Sequence, residues 1–208
     1  VLLAVSPIVA HLVGAGRHGE IGEQVRQAGW LALVLAVVSI LLFRFPEPFL
    51  ALSAPPPAVA AKVRAYLDIA AWGVPAGLAF RLFASYTTAV SRPRIMMVLN
   101  LVGLALKVPL NYAFIFGHAG APAMGAAGCA LATALATWIV CIVAWLRCGL
   151  ADEYRRHGVF ARWSWPRWRD QWHLVALGVP IGGTFLVDVT AFTFMALFIA
   201  RLGAVNSA

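Results

Sequence analysis

The sequence predicts an all-α fold, a polytopic transmembrane helical bundle of about six membrane segments, and three observations carry that expectation. Hydrophobic residues make up 62% of the chain and charged residues 12%, with a mean hydropathy of +0.85; an ordinary soluble domain carries about twice that share of charge. Apolar runs recur along the chain, most of them near the ~20 residues that a helix needs to cross a bilayer. Pro, Gly and Arg collect in the short stretches between those runs. A soluble core of 208 residues has too little interior to hide this much Leu, Val, Ala and Phe, so lipid must cover the remainder.

In chain order, the first apolar segment is a stub over residues 1–14. The second covers 28–45 and stops at Pro46, Pro48 and the Pro55-Pro56-Pro57 triplet, residues that cannot continue a helix and so mark a connecting loop. The third, 65–90, and the fourth, 95–116, are separated by a Ser91-Arg92-Pro93-Arg94 turn. His118-Ala119-Gly120-Ala121-Pro122 makes the next turn, and the fifth segment follows over 126–147. Residues 149–173 form the long polar region, where Arg155, Arg156, Arg162, Arg167 and Arg169 interleave with Trp163, Trp165, Trp168 and Trp172. Tryptophan at headgroup depth and arginine against anionic lipid suit a membrane interface. A sixth segment, 175–202, returns through the membrane. Val1 and Ala208 both fall in or beside apolar runs, and both ends read as cuts through a longer protein.

Sixteen Lys and Arg against eight Asp and Glu give a net charge of +8. The same balance on a soluble protein would suggest a nucleic-acid partner, but here the cations lie between spans, where lipid headgroups account for them. No nucleic-acid partner is expected. The first, third and fifth loops hold ten cations, Arg17, Arg26, Arg92, Arg94, Arg147 and the five arginines of the polar region. The second loop holds three, Arg44, Lys62 and Arg64, and the fourth none. That alternation places the odd loops in the cytoplasm of a bacterial-type inner membrane. Cys129, Cys141 and Cys148 show neither CxxC nor His partners at ligand spacing, and read as small apolar packing residues.

Ionisable side chains at bilayer depth cost at least ~2.5 kcal/mol each and concentrate on bundle interiors or aqueous cavities. Three occur well inside spans: Arg81, Lys107 and Asp188. Asp188 lies midway along the sixth segment, and Thr184, one turn earlier, shares its face. A lone carboxylate beside a hydroxyl in apolar surroundings suits a proton or sodium coupling site, with Na+ a candidate ligand of Asp188. The competing reading is a structural ion pair with a basic residue of another helix. Asn100, Gly103, Lys107 and Asn111 recur at steps of three, four and four, so they line one helical face and are candidates to line a cavity. Arg81 shares a face with Gly77, Ser85 and Thr88 and is a fourth cavity candidate beside Lys107, Asn111 and Asn100. For both cations, helix-packing counter-ions are the alternative.

These residues resemble a known family. Gly14-Ala15-Gly16-Arg17, Gly73-Val74-Pro75 with Arg92-Pro93, Lys107-Val108-Pro109-Leu110-Asn111-Tyr112, and Leu177-Gly178-Val179-Pro180 with Asp188 occur in order along the chain. Together they are similar to the second to seventh helices of multidrug and toxin extrusion (MATE) transporters of the NorM-like type. The resemblance implies twelve helices in two six-helix lobes that alternate access to a central cavity. On that mapping residues 1–149 belong to the N-terminal lobe, 150–173 form a cytoplasmic inter-lobe linker, and 174–208 supply the first helix of the C-terminal lobe. It further implies a secondary antiporter, not an enzyme, that exports organic cations in exchange for Na+ or H+, with no other cofactor. Membrane lipids and the missing helices would be its partners. Asp188 stands where NorM-like members commonly carry Glu. Lys107 stands where many carry Asn, and its charge opposes sodium binding there; it could pair with an acid that the family places on the absent first helix.

Three other readings stay open. One is a lipid-linked oligosaccharide flippase of the same superfamily, with Arg81 and Lys107 meeting pyrophosphate. Another is an integral membrane enzyme, disfavoured because no paired carboxylates, metal cluster or Ser and His arrangement converges in the spans. The last is an inactive truncated transporter fragment.

Overall fold

The computed structural model of the chain describes residues 2–47, 57–117, 124–150, 154, 159 and 164–206. After a short 3-10 turn at Leu2–Ala4 come six helices: α1 (Val5–Gly14), α2 (His18–Arg44), α3 (Pro57–Ala89), α4 (Pro93–Phe116), α5 (Ala126–Leu150) and α6 (Trp168–Asn206). The described residues contain no strand. All of the helices except α1 are long and apolar enough to cross a membrane. Each apolar run of the sequence is thus a helix, and the all-α transmembrane bundle is the observed fold.

The helix ends follow from local chemistry. Gly16 takes a left-handed φ of 70°, which lets the Arg17 N–H reach back to the Leu12 carbonyl at 2.9 Å and stop α1. Ser91 does the same at φ 58° after α3, and Arg92 N–H bonds the Thr87 carbonyl at 3.1 Å. Pro93 then opens α4, where its missing N–H costs nothing. Gly117, at φ 76°, closes that helix.

Three helices begin earlier than their apolar runs. α2 starts at His18, ten residues before the hydrophobic stretch at 28, and its first turn carries a two-pronged ion pair between Arg17 and Glu20. Pro57, expected in the loop, is the first residue of α3, a position that proline's fixed φ suits. α6 starts at Trp168, inside the region expected as linker. In α2 and α6 polar residues extend the helix beyond the apolar run, which run length does not register, and in α3 the extension is an Ala- and Val-rich stretch carrying Lys62 and Arg64. Pro48, Pro55, Pro56, the turn at 118–122 and Arg155, Arg156, Arg162 and Trp163 lie outside the described residues.

Helix α3 is the hub, packed on α1, α2 and α5, while α4 lies along α5. Small residues permit this closeness. Buried Ala130, Ala132, Ala134 and Ala136 pave α5, and a Cβ added at Gly73 of α3 would stand 3.2 Å from Ala134 Cβ. Where α5 begins, a Cβ at Gly128 would overlap the Phe114 carbonyl of α4. Lipid offers apolar side chains nothing less than a neighbouring helix does, so such dispersion contacts and interhelical hydrogen bonds hold the helices together. Trp138 and Trp145 of α5 donate indole N–H bonds to the Trp72 and Ala79 carbonyls of α3, at 2.9 and 3.3 Å.

The aromatic core sits toward one end of the bundle. Phe83 meets Trp145 edge-on at 5.7 Å, and Tyr86 lies 5.5 Å from Tyr154. Tyr154 and Val159 are buried although they follow α5 in the polar region. The turns after α1 and α3 and the polar region after α5, the three cation-rich connections, therefore share this end. Cys141 and Cys148 are buried free thiols in α5 and Cys129 is half-buried, as packing residues.

Candidate functional site

Four groups of polar residues bear on function, two named by sequence pattern and two that pattern did not bring together.

The first is on α6. Asp188 and Thr184 lie one turn apart, and both are exposed, as are all residues 183–195. The Thr184 hydroxyl donates to the Ile181 carbonyl at 2.8 Å, so its oxygen is left as an acceptor. Thr190 and Thr193 spend their protons in the same way, on Leu186 and Val189. A carboxylate and a hydroxyl oxygen one helical turn apart are ligand types that a hard cation takes. Arg17–Glu20, Arg26–Glu23 and Arg44–Asp68 form ion pairs, and no basic side chain among the described residues pairs with Asp188. Pro180 lies inside the helix two turns earlier, and its missing N–H leaves the Ala176 carbonyl without its helical donor.

The second group is the polar stripe of α4. Asn100, Gly103 and Lys107 face Thr133 and Thr137 of α5 and Phe80 of α3 across a cleft of ≈ 190 Å³. Gly103 leaves room for it, since a Cβ there would press on Val140 at 3.2 Å. Asn111, one turn beyond Lys107, keeps a buried Oδ1 with no hydrogen-bond partner among the described residues. Arg81, beside Phe80 in sequence, is exposed and does not line the cleft. The structure thus joins three of the four stripe residues to two threonines that the spacing argument did not bring in, and leaves Arg81 apart.

A third group was not visible from pattern. At the polar start of α2, Gln27 is fully buried and ties down the segment ahead of α6. Its Nε2 donates to the Trp165 carbonyl at 2.9 Å and to Glu23 at 2.9 Å, and its Oε1 accepts from the Arg167 N–H at 2.9 Å. Gln171 Nε2 donates to the Gln27 carbonyl at 2.8 Å. Next to it Arg26 bonds Glu23 at 2.6 Å, Ser164 Oγ at 3.0 Å and the Val159 carbonyl at 3.2 Å, and Trp30 donates to the Ser164 carbonyl. The polar region is therefore latched to α2, while Trp165, Trp168 and Trp172 remain exposed. The Glu23 and Gln27 spacing of four is the only hint in sequence.

Fourth, a wider recess of ≈ 400 Å³ opens between α1, α2 and α6, lined among others by His11, Arg17, Glu20, Gln24, Asp170 and His173. Among the described residues no group of three His, Cys, Asp or Glu side chains is arranged to hold a metal ion.

Comparison with known proteins gives a consistent result. The family model MatE matches residues 1–113. The probable multidrug resistance protein NorM of Aromatoleum aromaticum is 42% identical over 209 residues, covering 98% of this chain and 44% of the relative. Multidrug resistance protein PmpM of Pseudomonas aeruginosa is 38% identical over 97% of the chain and 42% of its own length. Among solved structures, the MATE transporter NorM-NG in complex with rhodamine 6G and a monobody superposes with a TM-score of 0.69 at 28% identity, over 95% of this chain and 43% of that one. The chain spans less than half the length of the relatives it matches.

Proposed function

Because this chain belongs to the MatE family, a family of multi-pass membrane transporters, we propose that the transporter to which it contributes exports organic cations through the inner membrane in exchange for Na+ or H+. The multidrug-resistance names of the relatives support the efflux reading. The observation that carries the mechanism is the Asp188–Thr184 pair on a membrane helix, without a basic partner among the described residues.

The mechanism is mutual exclusion. Asp188 holds the coupling ion in one state, with the acceptor oxygen of Thr184 as a second ligand, and releases it as a cationic substrate takes its place. Desolvation makes the bare carboxylate costly in a closed cavity, so one cation or the other occupies it. A ligand shifts inward-facing and outward-facing populations only by its differential affinity for them. Exchange at one carboxylate supplies that difference. Asn100, Asn111 and Lys107 line the first lobe, where the charge of Lys107 opposes sodium.

Residues 1–149 then belong to the first lobe, 150–173 link the lobes on the cytoplasmic side, and 174–208 begin the second lobe, to be completed by helices outside this chain. Lipid and those helices cover α4 and α6, whose surfaces are left largely exposed by the described residues.

The test is dye efflux by the full-length transporter in energised membrane vesicles. Asp188→Asn should abolish accumulation of a cationic rhodamine while the variant inserts and expresses at normal levels. Undiminished efflux by that variant would exclude the coupling role.

A further inference from the structure

The recess between α1, α2 and α6 opens at the cation-rich end of the bundle, the end that the positive-inside bias assigns to the cytoplasm. An exporter meets its substrate there. At ≈ 400 Å³ the recess falls within the roughly 300–1,000 Å³ of small-molecule sites. Ile8, Leu12 and Leu177 give it apolar walls. On its rim Arg17 and Glu20 cancel each other through a two-pronged pair at 2.7 Å. Asp170 is half-buried, and among the described residues no ion pair engages it, although the imidazoles of His11 and His173 line the same recess. Asp170 also begins a stripe. Leu177, Thr184 and Asp188 follow it along α6 at steps of seven, seven and four. Five turns of an α-helix take eighteen residues, so Asp170 and Asp188 share one face, about 27 Å apart along the axis. A drug-sized molecule does not span that distance, and the two carboxylates are separate stations.

We propose that this recess is a loading site for lipophilic organic cations, held by Asp170 at the cytoplasmic start of the α6 face that carries Asp188 further along. The proposal rests on the transporter reading and adds a first stop for its substrates, distinct from the coupling carboxylate. Apolar walls beside one uncancelled carboxylate suit a cation whose charge is wrapped in hydrocarbon, such as a quaternary ammonium: the walls take its apolar groups and Asp170 takes its charge. Because the recess opens to water, salt and solvent screen that pair and the hold is weak. A loading site needs such a hold, since a substrate bound tightly at the entrance would not move on.

The test uses the purified full-length transporter and a quaternary ammonium probe bearing an aryl azide, with the photolabelled peptides located by mass spectrometry. In wild type the label should appear within residues 7–12 and 170–177, and excess cationic rhodamine should suppress it. Asp170→Asn should cut that labelling about fivefold, Asp170→Glu should retain it, and Asp188→Asn should leave the label at the recess. Recess labelling that Asp170→Asn does not change overturns the proposal. So does labelling confined to other segments while proteoliposomes still export the rhodamine, which leaves the transporter reading intact; if Asp170→Asn then also lowers the melting midpoint, the recess carboxylate is paired with a basic side chain of the helices outside this chain. Recess labelling in a wild-type protein that exports no cationic dye overturns the loading role together with the transporter reading.

Discussion

Gln27 and Trp165 are 138 residues apart in sequence, yet the Gln27 amide donates to the Trp165 carbonyl at 2.9 Å from a fully buried position. That bond, with its neighbours at Arg167 and Gln171, fixes the start of α6 against the polar start of α2. If α6 begins a second lobe, the lobes are joined through a docked segment, and movement between them must be absorbed beyond Gln171, where the continuous helix carries its weak helix formers Gly178, Pro180, Gly182 and Gly183.

Gln27→Leu should therefore destabilise the full-length transporter. It strands the Arg167 N–H and the Trp165 carbonyl, and each buried polar group left unpaired costs ~1–3 kcal/mol. The expected readout is a lower melting midpoint in detergent, together with faster tryptic cleavage at Arg162 and Arg167. Asp68→Asn is the internal comparison. Its partner Arg44 is 3.1 Å away with both side chains more than half exposed, so that loss should stay within ~1 kcal/mol.

Gly128→Ala should be severely destabilising, because the new methyl would collide with the Phe114 carbonyl, and backbone cannot step aside as a side chain can. Gly19→Ala, at an exposed helical position with nothing within 4 Å, should be neutral or slightly stabilising. Folded yield after detergent extraction, measured by size-exclusion chromatography, separates the two.

The membrane helices were legible because hydrocarbon imposes a length and a polarity that composition alone reveals. The stripe of Asn100, Gly103, Lys107 and Asn111 was legible for a related reason: helical periodicity fixes which residues share a face. What periodicity does not fix is which helix that face meets. Thr133 and Thr137 joined the cleft, and Arg81 stayed out of it, only once α5 was seen to lie against α4. The latch was hidden more deeply. Ser164, Trp165 and Arg167 are bound chiefly through backbone groups, which every residue possesses, so no residue type announces them. The early start of α2 escaped because its first turns are polar and dock on protein.

The coupling claim has its most direct measurement in ion release on substrate binding. With the purified full-length transporter in lightly buffered detergent solution, addition of a cationic rhodamine should expel about one proton or one sodium ion per molecule bound, as exchange at a single carboxylate requires. Asp188→Asn should bind the dye with no ion released, or fail to bind it while remaining folded. Undiminished release from that variant would contradict the account, because the exchange would then take place at some other group.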